Sequence, residues 1–205
     1  MYRLDIRPVI PWLVIASCSI ALSSWARAQE LDRTQSRPAE VRTEVPVERV
    51  TVGDGDTVVI EWGEDDREVV RILGIDTPEV RNPDHNLPYD QPFGREASAF
   101  ARGCLATTAR VELLRAAMTD GYGRTLGYIF LDDLNYSVLV VGAGLAYESV
   151  SHYGDNGFPE EAQAVLNAAE RAGTPPFEPP YQFRRRMRDV AEEMRARGEL
   201  PPRSE

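Results

Sequence analysis

From residue 47 onward, apolar residues recur at every second position in short runs. Residues 47–51, 57–62 and 68–75 are rich in Val, Ile and Thr, the pattern of half-buried strands. Gly53-Asp54-Gly55 separates the first two runs. Gly63-Glu64-Asp65-Asp66 separates the second from the third and reads as a hairpin turn. Residues 78–93 then form a proline-rich loop, long enough to suggest a functional element. The period lengthens to that of a helix over 95–105, with Ala97, Phe100, Ala101 and Cys104 on one face. Two more strands are predicted at 111–114 and 125–131. A short apolar helix over 136–146 and a helix over 159–172 follow. The last has Pro159 in its first turn and Gly173 just past its end. Three strands, a helix, two strands and two helices predict an α+β domain, mainly β. Its centre is a small five-stranded Greek-key barrel flanked by three helices.

The flanks have a different texture. Arg3 and Arg7 precede an apolar run over 9–22, and Ala26-Arg27-Ala28 closes it, as in a secretory signal cut after Ala28. The run is shorter than the roughly 20 residues of a membrane span. Residues 1–28 are thus expected to be a signal peptide and the protein to be exported, periplasmic or secreted. The alternative is anchoring through this segment. Ile15-Ala16-Ser17-Cys18 also resembles a lipoprotein processing site, so membrane attachment follows only if the leader is uncleaved or lipidated. Residues 29–46 read as a linker and 47–173 as the folded domain. Residues 174–205 read as a proline-rich break and a charged helical tail, with Phe183, Met187, Val190 and Met194 along one stripe.

Composition narrows the chemistry. Two cysteines, Cys18 and Cys104, exclude a disulfide scaffold and a Cys-based zinc cluster. His85 and His152 are the only histidines, and His85 reads as a surface residue. There is no lysine, which removes Schiff-base and Walker-type chemistry and leaves all cationic work to arginine. The net charge of −10 is concentrated: residues 48–172 hold 22 Asp+Glu and 10 Arg, a net of −12. Such a body does not draw a polyanion by its overall field, so a nucleic-acid role must rest on a local site. Arg184-Arg185-Arg186-Met187-Arg188 offers a basic patch. The interleaved Asp189, Glu192 and Glu193 favour a salt-bridged helix packed on the barrel or a partner.

Three segments place oxygen ligands and guanidiniums where strands begin or end. In Gly53-Asp54-Gly55-Asp56-Thr57 the glycines allow a tight turn that leaves Asp56 at a strand start. A plain Asp-Gly turn is the simpler reading of this segment alone. In Arg71-Ile72-Leu73-Gly74-Ile75-Asp76-Thr77-Pro78-Glu79, alternation puts Arg71 on the face of Leu73 and Ile75. A guanidinium there demands anionic partners. Pro78 stiffens the turn between two carboxylates. A salt-bridged arginine with surface acids beyond it is the plainer alternative. In Asp120-Gly121-Tyr122-Gly123-Arg124, two glycines frame Tyr122 and Arg124 opens a strand, which also describes an ordinary hairpin.

Taken together, these segments resemble the staphylococcal-nuclease-like (thermonuclease) family over roughly residues 47–173. Gly94-Arg95-Glu96-Ala97-Ser98-Ala99-Phe100 and Gly144-Leu145-Ala146 add to the likeness. The resemblance implies an OB-fold barrel with three helices. It implies Ca²⁺ bound by Asp56, Asp76 and the main-chain carbonyl of Thr77. Arg71, Glu79 and Arg124 would form the catalytic set, with Tyr122 against the nucleotide. It further implies hydrolysis of DNA and RNA, single strands preferred, to 3′-phosphorylated products. No stable protein partner is implied. Val150 and His152 stand where the family has base-stacking tyrosines, which leaves Tyr147, His152 or Tyr153 as the stacking platform, or ordinary loop packing. Ser137 replaces a usual Asn. Three carboxylates and two arginines leave the bare site at −1, and Ca²⁺ makes it +1, so strict metal dependence is expected. The rival expectation is a non-catalytic OB-fold nucleic-acid-binding module, which has no need of Glu79.

Overall fold

A computed structural model describes residues 33–202. The expected leader, residues 1–28, lies outside them. Among the described residues nine strands are formed: β1 (Arg42–Val45), β2 (Val50–Val52), β3 (Thr57–Glu61), β4 (Arg67–Ile72), β5 (Ile75–Asp76), β6 (Val111–Thr119), β7 (Thr125–Leu131), β8 (Leu134–Asn135) and β9 (Tyr147–Glu148). The main sheet runs β1-β6-β7-β4-β3-β2, with β8 added to β7, while β5 and β9 make a separate ribbon. Every pairing is antiparallel except β4 with β7. A register shift between Arg115 and Thr119 interrupts the β6–β7 ladder. Such a bulge increases twist and helps a sheet curl. The result is a mixed, curled half-barrel with helices against it, the α+β OB-type architecture expected from the sequence.

Period-two alternation fills its interior. Val58, Ile60, Val70, Ile72, Leu113, Ile129 and Leu131 are buried in one apolar cluster. Each such side chain contributes about 1.5–3 kcal/mol when fully withdrawn from water. Among the described residues five α-helices are formed: α1 (Gly94–Thr107), α2 (Tyr136–Gly142), α3 (Val150–Tyr153), α4 (Pro159–Ala172) and α5 (Pro180–Ala196). Ala162, Val165 and Ala168 turn the buried face of α4 to the same core. Asn135 caps α2, its side-chain oxygen accepting from the Ser137 amide at 2.9 Å. The helix stops at Gly142 rather than 146, where the chain turns through Gly144 with φ 69°.

Two departures from the sequence pattern shape the site. Within the stretch expected as a linker, residues 42–45 form β1 on the edge of β6. Before them, the amides of Gln35 and Glu40 bond the carbonyls of Ala117 and Arg115. Only Val45 of β1 is buried, too little alternation to announce a strand. Second, the run 68–75 is not one strand. It breaks after Ile72 at Leu73-Gly74, where Gly74 takes φ 79°, a left-handed conformation open to glycine. That bend folds β5 back, so the carboxylate of Asp76 meets the guanidinium of Arg71.

Candidate active site

Arg71 lies on the half-buried side of β4, opposite Glu68, Val70 and Ile72. Its Nη1 is 2.5 Å from Asp56 Oδ1, and its Nη2 donates to Asp76 Oδ1 at 3.2 Å and to the Ile75 carbonyl at 3.1 Å. Asp56 stands just before β3, whose first residue, Thr57, pairs with Arg71 in the ladder. Its second oxygen accepts the Thr77 amide at 2.9 Å. Asp56, Arg71, Asp76 and Thr77 thus close on one another at the end of the β3–β4 pair and the bend after it. Burial alone raises the pKa of Asp56, but Arg71 and the bonds from Thr77 outweigh it and hold this carboxyl below its usual range. Asp54, which the sequence reading did not single out, joins this cluster. Burial and the neighbouring Asp56 push its carboxyl up to about 7.

Glu79 is set from two sides. Its amide donates to Gln91 Oε1 at 3.2 Å, and its carbonyl accepts the Gln91 amide at 2.8 Å. Gln91 is fully buried and its Nε2 reaches the Glu178 carbonyl at 2.7 Å, tying the long loop to the C-terminal segment. Burial raises the pKa of the Glu79 carboxyl above its ordinary value, against the pull of Arg184.

Arg184, from α5, is a second member of the site that sequence reasoning missed. Its Nη1 donates to Asp76 Oδ1 at 2.9 Å and to Glu79 Oε1 at 2.5 Å, and its Nη2 donates to Asp76 Oδ2 at 3.0 Å. Burial disfavours its charge, but the two carboxylates raise its pKa further above the normal arginine range. The apolar stripe held the available clue. Phe183 and Met187 are buried against Leu87. One residue along a helix is about 100° of rotation, which leaves Arg184 at the margin of the buried face rather than on the solvent side.

Arg124 opens the strand that pairs with β4, where Thr125 faces Val70 and Leu126 faces Arg71. Arg124 Nε binds Asp120 Oδ2 at 2.7 Å, and its guanidinium lies 5.6 Å from the Tyr122 ring centroid. Asp120 Oδ1 also accepts the amides of Tyr122 and Arg124, so one carboxylate organises the whole turn. Tyr122 is 88% exposed. Tyr147 pairs with Asp76 across the β5–β9 ribbon, which brings it beside the cluster. Its hydroxyl donates to the Phe177 carbonyl at 2.8 Å, and its ring meets Phe177 edge-on at 5.5 Å. Ser137 donates to the Leu73 carbonyl at 2.7 Å and so supports the bend before Asp76. His85 is exposed, as expected.

Among the described residues no three carboxylate, imidazole or thiol groups converge as a ready-made metal cage. The donor chemistry nonetheless suits a hard cation: Asp56, Asp76 and the Thr77 carbonyl offer oxygen alone, with two formal negative charges. The oxygens of both aspartates are engaged by Arg71, Arg184 and the Thr77 amide. A cation taking Asp76 therefore competes with two guanidiniums already bound to it.

A profile of the staphylococcal nuclease homologue family matches residues 69–174. The chain is 44% identical over 95 residues to the thermonuclease of Staphylococcus intermedius, covering 45% of this chain and 53% of that protein. It is 37% identical over 98 residues to the thermonuclease of Staphylococcus hyicus, covering 47% and 55%. Over 117 residues it is 29% identical to the endonuclease YncB of Bacillus subtilis (strain 168), covering 54% of each. The chain thus spans about half the length of these relatives. A family match over more than half of the chain, on a half-barrel of the expected kind, makes this protein a member of the staphylococcal nuclease homologue family.

Proposed function

We propose that the protein is an exported, Ca²⁺-dependent nuclease that hydrolyses phosphodiester bonds of DNA and RNA. Single strands are the preferred substrate and 3′-phosphates the products. The observation that carries this reading is the convergence of Asp56, Arg71, Asp76 and Glu79 at one end of the β3–β4 pair. When bound by Asp56, Asp76 and the Thr77 carbonyl, Ca²⁺ supplies positive charge that polarises a phosphoryl oxygen. Glu79 accepts a proton from the attacking water, and its raised pKa makes it a better base than an exposed carboxylate. As the water oxygen bonds to phosphorus, the P–O5′ bond breaks and O5′ takes a proton from solvent, leaving phosphate on the 3′ side and a 5′-hydroxyl on the other strand end. Arg71 presents a planar pair of N–H donors to the extra negative charge of the pentacoordinate transition state. Arg124 reaches the same phosphate by leaving Asp120, and Tyr122 and Tyr147 contact the nucleotide. The names of the thermonuclease and endonuclease relatives support the same class of reaction.

Incubation of the protein with single-stranded DNA, in Ca²⁺ or in chelator, tests this reading. Cleavage is expected in Ca²⁺ alone, and Glu79→Gln should lower kcat by about 10²–10⁴-fold with KM little changed. Turnover in chelator overturns the mechanism. Binding without cleavage instead identifies a nucleic-acid-binding module.

A further inference from the structure

Arg184 lies outside the family-matched segment, yet it engages two of the carboxylates on which the nuclease reading rests. Its helix is held by Phe183 and Met187 against Leu87. Upstream, the chain is held by Phe177, whose ring contacts Phe93 at 5.6 Å and Tyr147 at 5.5 Å. The backbone of α5 is therefore anchored, and a guanidinium released from its carboxylates stays beside the site. The side chain is 36% exposed, so it is open to an incoming ligand. Its fork occupies both oxygens of Asp76, so a divalent cation and Arg184 contest the same carboxylate. Arg124 is paired with Asp120, while Arg71 and Arg184 are the guanidiniums that bind the clustered carboxylates directly.

We propose that Arg184 is a substrate-binding residue that rests on Asp76 and Glu79 in the free site, yields Asp76 to the divalent cation, and then binds a phosphate oxygen of the nucleic acid. This rests on the nuclease reading and deepens it: the C-terminal helix is part of the substrate site. A planar fork suits phosphate better than an ammonium does, so Lys is not an equivalent replacement.

The full chain, Arg184→Ala and Arg184→Lys are compared by three measurements. These are Ca²⁺ affinity by calorimetry without nucleic acid, KM for a single-stranded oligonucleotide at saturating Ca²⁺, and thermal melting. Arg184→Ala should bind Ca²⁺ about tenfold tighter, because its competitor is gone, while KM rises about tenfold or more. Arg184→Lys keeps the charge, so its Ca²⁺ affinity should stay within about twofold of wild type while KM still rises. Effects of opposite sign on the two ligands distinguish this role from a structural one, which weakens both. Ca²⁺ affinity unchanged or weaker in Arg184→Ala overturns the proposal. If that variant melts early, Arg184→Lys decides, and an unchanged KM overturns it. A wild-type chain that neither binds Ca²⁺ nor cleaves overturns the nuclease reading and this inference together. A wild-type chain that does both, matched by its variants, overturns only the role of Arg184.

Discussion

Glu68 is buried with four strong bonds to its carboxylate. Arg115 donates through Nε at 2.8 Å and Nη2 at 2.9 Å, while Thr125 Oγ1 and Trp62 Nε1 each donate at 2.7 Å. Both charges of the pair are almost wholly withdrawn from water. Such a pair adds little over an apolar replacement, but removing one partner strands the other. Glu68→Gln should therefore cost about 3–5 kcal/mol of stability, read by denaturant unfolding. Burial alone raises the pKa of Glu68; the bonds from Arg115, Thr125 and Trp62 overcome it and lower the pKa below 4.5. A carboxyl depressed in the folded state gives its full stabilisation above the unfolded pKa and loses it as pH falls through the folded one. The melting temperature should consequently drop below about pH 4.5, and with a shallower slope in Glu68→Gln. None of this network was legible in the sequence, because Glu68 and Arg115 are 47 positions apart and each looks like an ordinary strand charge. Asp56, Asp76 and Glu79 were legible because each sits in a turn marked by glycine or proline. Arg184 was hidden in a run of arginines whose alternating acids suggested a solvated helix.

At the scale of elements, α1 fixes Glu79. A Cβ at Gly94 would lie 2.2 Å from the Glu79 carbonyl oxygen and 2.8 Å from its carbon, both main-chain atoms. Ala in a helix interior gains up to about 1 kcal/mol over Gly. At Gly94 that gain is overridden, because the colliding atoms belong to backbone that cannot swing aside. Gly94→Ala should push the Glu79 segment away and lower kcat by about 10²-fold, the penalty of roughly an ångström of misplacement. Steady-state kinetics on a variant that still melts cooperatively checks it. The strand pattern over 68–75 continues apolar through Leu73 and Ile75, although Gly74 turns the chain between them. β1 and the bonds of residues 35–40 to β6 escaped notice because an edge strand buries so little.

For the whole molecule, charge and reach set the terms on which a polyanion is met. The body between residues 48 and 172 carries −12, so added salt weakens phosphate contacts and at the same time screens repulsion. A protein with 6–10 phosphate contacts loses about 10³–10⁵-fold in affinity between 50 and 200 mM salt. Here KM for single-stranded DNA should change by less than about tenfold over that range. A salt titration of initial rates at constant Ca²⁺ tests this, and steep loss at low salt would contradict it.

The Arg184–Asp76 contact joins positions 108 residues apart, and Gln91 reaches the carbonyl of Glu178 through the protein interior. A fragment trimmed at residue 174, where family similarity stops, would lose both. It would also uncover the apolar surfaces of Leu87, Phe93 and Tyr147 that Phe177, Phe183 and Met187 now cover. The stretch that homology marks as an appendage is the wrong place to cut: the folded unit that keeps the carboxylate cluster closed extends to the end of α5.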